Sequence, residues 1–326
     1  QLRCGLRCMR FTPKCCLFVL ILCLISYSSQ AKQIALSFDD APRHAGPMFS
    51  GAERTAQLIK SLREANSGPT VFFVKTSGME TEDGRARIEQ YATAGHLIAH
   101  HTHSHWWLNR TETDSYLADI DQAESLLHGL PNRRPWFRFP YLDEGRPIAQ
   151  RDAMRQAIRE RGLKNGYVTV DNFDWYLARQ WQRAVEEGRW VNHHALKMVY
   201  LDMLMSAVEF YDELAASHIG RSPAHVLLLH ENDLAAIYVD ELIERLRENG
   251  WDIISPDTAY ADPIAEYQAQ TLFAGQGRIA AIASDRGVPH TELRHYSSQE
   301  AALDKLLSER GVFDKPTSDF TILNPQ

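Results

Sequence analysis

The chain has 326 residues, of which 44% are hydrophobic and 24% are charged, and its formal net charge at pH 7 is −7. This length and apolar content allow one large domain or two ordinary ones with a full core, and the composition excludes a disordered or fibrous protein. The acidic balance argues against nucleic acid or anionic lipid as a partner, because both attract basic surfaces.

The N-terminal segment has the features of a secretory signal peptide. After Met9 come two basic residues, an apolar run from Cys15 to Tyr27 and a small-residue exit at 28–31. The run is shorter than the roughly twenty residues that a membrane-spanning helix needs. We therefore predict an upstream extension before Met9, cleavage after Ala31 and export to the periplasm or the extracellular space. The mature chain is then expected to have no membrane contact, and an uncleaved N-terminal anchor is the alternative.

Cleavage would also change the chemistry that is available. All five cysteines lie in residues 1–31, so the mature chain would have no disulfide and no thiolate nucleophile or ligand. The same residues hold four Lys/Arg and no Asp/Glu, which leaves 31 basic and 42 acidic side chains and a formal charge of −11. The acidic character therefore becomes stronger after cleavage.

Strand-like and helix-like patterns alternate along the rest of the chain. The predicted strands cover 34–38, 70–74, 96–99, 137–139, 166–170, 226–229 and 251–254, and the predicted helices cover 51–66, 85–93, 114–127, 148–161 and 233–248. Asp114 is the expected N-cap of the third helix. Seven strands that alternate with helices over about 220 residues favour a parallel (β/α) barrel over an open sheet.

Two segments interrupt this alternation. Residues 178–223 contain predicted helices at 181–190 and 194–217, which we interpret as a helical insertion before the last strands. Residues 263–326 read as small helices and loops without recognisable chemistry. The predicted organisation is a leader at 1–31, a barrel domain at 32–262 and a C-terminal extension of unknown role at 263–326.

Polar residues with catalytic potential follow the predicted strands at their C-terminal ends, which share one mouth in a (β/α) barrel. They are Asp39 and Asp40, the histidine-rich run 100–105, Arg138 with Pro140 and Tyr141, Asp171 to Trp175, and His230. The run 100–105 holds four of the fourteen histidines. In an extended chain His101, His103 and His105 share a face, and in a helix His101 and His105 stack, so either conformation brings two imidazoles together.

These residue types suit metal-dependent hydrolysis. One aspartate and two histidines give three ligands and an open position, as in a catalytic zinc site. Of two adjacent carboxylates, one can bind the metal while the other acts as a base, His230 can protonate a leaving group, and Arg138 can tune the base. Each residue alone also has a structural interpretation: a turn for Asp39 and Asp40, an ion pair for Arg138 and Asp174, core packing for Trp175 and a purely structural histidine at 230.

Taken together, these stretches resemble the five motifs of the NodB-homology polysaccharide deacetylases, in the same order. They are Ser37-Phe38-Asp39-Asp40, His101-Thr102-x-x-His105, Arg138-x-Pro140-Tyr141, Asp171-x-x-Asp174-Trp175 and Leu228-x-His230. The resemblance covers about residues 33–260. It implies a distorted (β/α) barrel and removal of N- or O-linked acetyl groups from a carbohydrate by metal-activated water.

The resemblance also implies roles by motif position. Asp39 would be the general base and His230 the general acid, with Asp40, His101 and His105 as metal ligands. Arg138 and Asp174 would orient and tune Asp39. The backbone N–H of Tyr141, which follows Pro140, would face the oxyanion, and Trp175 would form a wall of the pocket. Asp171 and Pro140 belong to the same group of residues that bind substrate or tune the site. Zinc is the expected metal, with cobalt, nickel and manganese as alternatives. His100 and His103 have no assigned role.

One departure from the family leaves the substrate open. The family usually continues its first motif with Gly-Pro, whereas this chain has Ala41-Pro42-Arg43-His44, which adds charge at the mouth. A long polymer, a short or branched glycan and a small N-acyl compound are all compatible with this. Two other functions stay open: a cyclic-imide or ureide amidohydrolase, and a non-catalytic glycan-binding protein on the same scaffold.

Overall fold

The computed structural model describes residues 31–273 and 275–313. The predicted signal peptide falls almost wholly outside these residues, so its presence and cleavage stay predictions. In the described part of the chain, no helix combines the length and apolarity needed to cross a membrane.

Seven parallel strands form the centre of the molecule. They are β1 (Lys32–Ala41), β2 (Val71–Val74), β3 (Leu97–His100), β4 (Arg133–Phe137), β5 (Lys164–Asn165), β6 (Ala224–His230) and β7 (Trp251–Ile253). The strand order is β5-β4-β3-β2-β1-β6, and β7 pairs with the first residues of β1. All residues from Ile34 to Phe38 of β1 are fully buried, as expected for a strand covered on both faces of a parallel sheet.

The segment after β5 closes this sheet into a distorted barrel. The Gly166 N–H donates to the Phe137 carbonyl at the end of β4 (2.7 Å), and the Leu228 N–H of β6 donates to the Val170 carbonyl (3.1 Å). Residues 166–170 therefore cross from one edge of the sheet to the other. The predicted strand at 166–170 is wrong, because this crossing leaves only one parallel bridge, between Val170 and Leu227. The predicted distorted (β/α) barrel is confirmed.

Helices cover the outside of the barrel. They are α1 (Gly51–Glu64), α2 (Glu82–Thr93), α3 (Thr113–Leu127), α4 (Ile148–Glu160), α5 (Asp174–Glu186), α6 (His193–Ile219), α7 (Asp233–Glu248), α8 (Pro256–Ala259), α9 (Gly277–Asp285) and α10 (Glu300–Glu309). Ser50 and Glu53 form a capping box at the start of α1. Asp114 is not the N-cap of α3: the cap is Glu112, and Asp114 lies in the first turn, where a negative charge suits the helix dipole.

The two interrupting segments belong to the same hydrophobic core as the barrel. The first helix of the predicted insertion begins at Asp174 rather than at Trp181, so it starts within the fourth motif. The 27-residue α6 is the second helix. Buried side chains of the C-terminal extension, among them Ile279, Leu303 and Leu307, pack in one cluster with β1 and α6. The extension is therefore a structural part of the barrel unit.

Candidate active site

A bulge at the end of β1 brings two consecutive carboxylates to one place. Neighbouring strand residues normally point to opposite faces, yet Asp39 Oδ2 and Asp40 Oδ1 lie 3.6 and 3.7 Å from the same atom, His101 Nε2. The pairing of β1 with β2 shifts register between Asp39 and Ala41, and Asp40 has a φ of 67°. This left-handed conformation turns the second carboxylate back towards the first.

The histidine-rich run after β3 forms a loop that is neither extended nor helical, so neither of the two predicted conformations occurs. Thr102 and His105 have positive φ values of 66° and 56°. The buried Asp119 carboxylate accepts the backbone N–H groups of His103 and Ser104 (2.9 and 3.1 Å), and the Thr102 hydroxyl accepts the His105 N–H (3.0 Å). These hydrogen bonds fix the loop and thereby aim His105 at Asp40.

The two unassigned histidines have structural roles. His100 is buried, its Nδ1 accepts the Thr102 N–H (2.9 Å), and burial lowers its pKa to about 3. The His103 ring is hydrogen-bonded to the Thr76 hydroxyl and to the Gln122 side chain, each at 3.0 Å. Both rings support the loop from outside the cluster of metal-ligand candidates.

Asp40, His101 and His105 form a donor set that fits a divalent metal. One carboxylate oxygen of Asp40 and one ring nitrogen of each histidine lie within 4.8 Å of one another. Asp40 Oδ1, which is 3.3 Å from His105 Nε2, is buried and has no hydrogen-bond partner among the described residues. A buried carboxylate oxygen without a partner is costly, and a cation would satisfy it.

The protonation states also suit a metal. The His101 Nδ1–H donates to the Arg138 carbonyl (2.8 Å), which leaves Nε2 free to bind. Burial lowers the pKa of His105 to about 4, so its imidazole is neutral at pH 7, as metal binding requires. Nitrogen and oxygen donors in this combination are typical of zinc and of neighbouring divalent ions.

Arg138 holds Asp39 from inside the barrel. Its guanidinium donates to Asp39 Oδ1 and to the Ser37 hydroxyl, and its Nε donates to the Gly166 carbonyl (2.7 Å). It also lies 3.7 Å over the Phe73 ring, and only 1% of Arg138 is exposed. The predicted contact between Arg138 and Asp39 is confirmed, and Asp39 Oδ2 is left facing His101.

Asp174 orients His230 and not Asp39, which corrects the role implied by motif position. The His230 Nδ1–H donates to Asp174 Oδ1 (2.6 Å), and the backbone N–H of His230 donates to Oδ2 (3.0 Å). Burial acts to lower the pKa of His230, but the negative charge and hydrogen bond of Asp174, together with the charges of Asp40 and Asp39, outweigh it and raise the pKa. The arrangement favours a protonated imidazole whose other nitrogen can donate.

Eight of the eleven predicted site residues surround a cavity of about 560 Å³, a size within the usual range for ligand sites. It is lined by Asp39, Asp40, His101, His105, Tyr141, Asp171, Trp175 and His230. Three predicted residues do not line it: Arg138 and Asp174 lie behind Asp39 and His230, and Pro140 opens the turn that gives Tyr141 its φ of 58°. Asp171 is buried, and burial raises its pKa to about 8.

The sequence interpretation missed two parts of this site. Gly275 and Gln276 of the C-terminal extension line the cavity. A buried ionic network also fixes the loop after β1: Glu231 accepts the Arg43 N–H (2.7 Å) and pairs with Arg87 (2.8 Å). The polar run after β6 was a visible signal for this network, but its partners are 144 and 188 residues away in sequence.

Comparison with known proteins finds related deacetylases. Residues 26–166 match the family model described as polysaccharide deacetylase. A peptidoglycan-N-acetylglucosamine deacetylase of Bacillus cereus is 31% identical over 110 residues, which are 33% of this chain and 36% of the relative. Chitin deacetylase 1 of Saccharomyces cerevisiae is 29% identical over 146 residues, 44% of this chain and 42% of the relative. The alignments thus span less than half of each of these two relatives.

Among solved structures, the peptidoglycan deacetylase PdaC of Bacillus subtilis is 20% identical. It aligns with a TM-score of 0.47 over 70% of this chain and 89% of its own.

Proposed function

We propose that this chain is a metal-dependent hydrolase that removes acetyl groups from a carbohydrate, on the premise that its residues 26–166 match the polysaccharide deacetylase family. One observation carries the proposal. A single cavity holds a metal donor set, a carboxylate held by Arg138 and a histidine backed by Asp174. An open donor set with an adjacent base and acid is the arrangement that hydrolysis of an amide or ester requires.

Asp40, His101 and His105 would hold the ion. When bound, a divalent ion supplies Lewis-acid activation of water and of the acetyl carbonyl. We propose zinc, with cobalt, nickel and manganese as alternatives, because nitrogen and oxygen ligands accept all four.

The proton transfers follow from the two buried pairs. Arg138 occupies one oxygen of Asp39, so Oδ2 is the oxygen that can take a proton from the attacking water. Asp174 occupies Nδ1 of His230, so Nε2 is the atom that can protonate the leaving nitrogen or oxygen. The backbone N–H of Tyr141, at the rim of the cavity, is the proposed donor to the oxyanion.

The proposed substrate is an acetylated carbohydrate outside the cytoplasm. Curated relatives are named for deacetylation of peptidoglycan and of chitin, which are extracytoplasmic glycans. The proposed export agrees with the signal-like composition of residues 9–31.

The test is an acetate-release assay on acetylated oligosaccharides, with and without a chelator, together with measurement of bound metal. Asp39→Asn should lower the rate by at least about 10²-fold because the base is lost, while metal content stays the same. Asp252→Asn, an exposed aspartate on β7, is the matched control and should be fully active. An undiminished rate in Asp39→Asn would contradict the mechanism.

Two further measurements on the same protein, of cyclic-imide opening and of glycan binding, separate the two other functions. Bound metal without acetate release, together with opening of a cyclic imide, would indicate an amidohydrolase. Glycan binding without any product would indicate a binding protein.

A further inference from the structure

A second cavity of about 370 Å³ adjoins the active-site cavity. The two cavities share four lining residues: Asp40, Arg43, Trp175 and Arg179. A molecule whose acetyl group lies against the metal donor set can therefore extend past Arg43 and Trp175 into the second space.

The second cavity has an excess of positive charge, although the chain as a whole is acidic. Arg43, Lys75 and Arg179 line it. The cavity has two carboxylates. Asp233 is already bound by Arg54 (2.7 Å) and by backbone N–H groups. Asp40 pairs with Arg43 through Oδ2 (2.7 Å) and is also a member of the metal donor set. The cavity thus has cationic groups whose charge is not cancelled by its own carboxylates.

The carboxylate that does pair with Arg179 lies outside the cavity and binds weakly. Glu300 is 3.3 Å away, with about half of each side chain exposed, and such surface pairs contribute little. Among the described residues, no carboxylate lies within the 4.0 Å ion-pair distance of Lys75.

Two of these cations are held in place before any ligand binds. The Arg179 guanidinium lies 5.0 Å from the Trp175 ring centre and 4.8 Å from that of Tyr176. The Arg43 guanidinium donates to Asp40 Oδ2 (2.7 Å), and its backbone is fixed because the N–H donates to Glu231 and the carbonyl accepts from Arg87 (2.9 Å). Fixed guanidinium groups beside an aromatic ring suit a sugar ring that carries a carboxylate.

We propose that the second cavity is a subsite for an acidic sugar, which carries a carboxylate and is linked to the sugar that loses its acetyl group. This inference rests on the proposed deacetylase function and narrows its substrate class. The subsite recognises the carboxylate mainly through Arg179, with Arg43 and Lys75 contributing to the local positive potential.

The test measures deacetylation of two disaccharides by the metal-loaded protein. In one, an acetylated hexosamine is linked to a hexuronic acid; in the other, the uronic carboxylate has been reduced to an alcohol. The unmodified protein should show about a tenfold higher kcat/KM for the acidic disaccharide, as one charge-assisted hydrogen-bond pair supplies. In Arg179→Gln this preference should disappear through a higher KM for the acidic substrate, with kcat nearly unchanged.

Arg183→Gln is the matched control. Arg183 is one turn further along α5 and is 66% exposed. Among the described residues it pairs only with Glu187, the C-cap of the same helix. It should keep the full preference. Equal rates on both disaccharides in the unmodified protein, or an equal loss on both in Arg179→Gln, would overturn the subsite.

A binding measurement separates this inference from the proposed reaction. Calorimetric titration with the deacetylated acidic disaccharide should show binding that weakens with salt and is lost in Arg179→Gln. Selective binding of this kind without acetate release from any substrate would keep the subsite and reject the deacetylase. Acetate release without selectivity for the carboxylate would keep the deacetylase and reject the subsite.

Discussion

At the residue scale, two buried contacts give two carboxylates different tasks. Arg138 fixes Asp39 and leaves one of its oxygens towards the cavity, whereas Asp174 fixes the ring of His230. Both supporting residues are almost completely buried. The proposed base and the proposed acid are therefore positioned by the barrel core and not by substrate.

The Asp174–His230 contact predicts a specific pH profile. The contact raises the pKa of His230, and a general acid must be protonated, so activity should fall as the pH rises through that pKa. Asp174→Asn keeps the shape but removes the largest of the charges that raise the pKa of His230, while those of Asp40 and Asp39 remain. The alkaline limb of kcat should move to lower pH, and kcat on that side should drop on the order of 10²-fold.

Metal content provides the control, because Asp174 contacts none of the metal-donor atoms and bound metal should stay the same. An alkaline limb that does not move in Asp174→Asn would show that His230 is not the acid.

Asp171 should make stability depend on pH. Its Oδ2 is buried without a partner among the described residues, and burial raises its pKa to about 8. Between the unfolded value near 4 and this pKa, the folded state keeps a proton that the unfolded state releases. The free energy of unfolding should therefore fall as pH rises in this window, by at most about 1.4 kcal/mol per pH unit.

Asp171→Asn cannot ionise and should lose this contribution. Urea unfolding at pH 5 and pH 7.5 should show the unmodified protein losing up to about 3 kcal/mol more than the variant. Parallel losses in the two proteins would mean that Asp171 is ionised in the folded state.

At the element scale, the loop between β1 and α1 depends on charges supplied by distant elements. Glu231, at the end of β6, is completely buried and binds Arg87 of α2 as well as the loop itself. Without Arg87, the buried Glu231 charge would keep only the Tyr91 hydroxyl (2.8 Å) and the more distant Arg54 (3.7 Å) as side-chain partners, so much of its compensation would be lost. We expect Arg87→Met to lower the free energy of unfolding by roughly 3 kcal/mol.

The double variant Arg87→Met/Glu231→Gln should lose less than the sum of the two single variants, because the unpaired charge is absent. Arg85→Met is the control: Arg85 lies on the same helix, is 42% exposed and reaches Glu89 only at 3.9 Å. A large loss in Arg85→Met, or additive losses in the double variant, would contradict this account.

The sequence was sufficient for the elements whose pattern is local. The strands near 34–38, 70–74 and 96–99 and the helix near 233–248 have apolar periodicity that matches their burial. It was not sufficient for residues 166–170, where Gly166 approaches the Phe73 ring too closely for a side chain and the segment crosses between edges. That path depends on residues far away in sequence, so periodicity could not reveal it.

In the candidate site, too, some contacts could be predicted from the sequence and others could not. The metal donor set and the Arg138–Asp39 contact follow motif positions. The partner of Asp174 does not, because motif position pointed to Asp39, whereas the closed barrel places Asp174 against His230.

At the scale of the whole molecule, the C-terminal extension and the barrel share one core. Phe173 donates its backbone N–H to the Ser297 carbonyl (2.8 Å), and Arg278 donates its backbone N–H to the Val168 carbonyl (2.7 Å). The second hydrogen bond ties the extension to the segment that closes the barrel, and the first ties it to the N-cap of α5. The predicted boundary at 262/263 is therefore not a gap in the packing.

This shared core predicts the outcome of truncation. The extension contributes six large apolar side chains that are at most 3% exposed: Ile279, Ile282, Leu293, Leu303, Leu307 and Val312. Removing residues 263–326 would expose the surface against which these side chains pack. Losing the burial of six such side chains costs roughly 10 kcal/mol, which is comparable to the whole stability of a typical domain. A chain of residues 32–262 should therefore fail to unfold cooperatively.

Calorimetry checks this with a matched pair of chains. A chain of residues 32–313 keeps every described contact of the extension and should show one unfolding transition, since one core unfolds as one unit. The 32–262 chain should show none, or a broad and weak one. A sharp transition in the shorter chain, or two separate transitions in the longer one, would establish the extension as an independent domain.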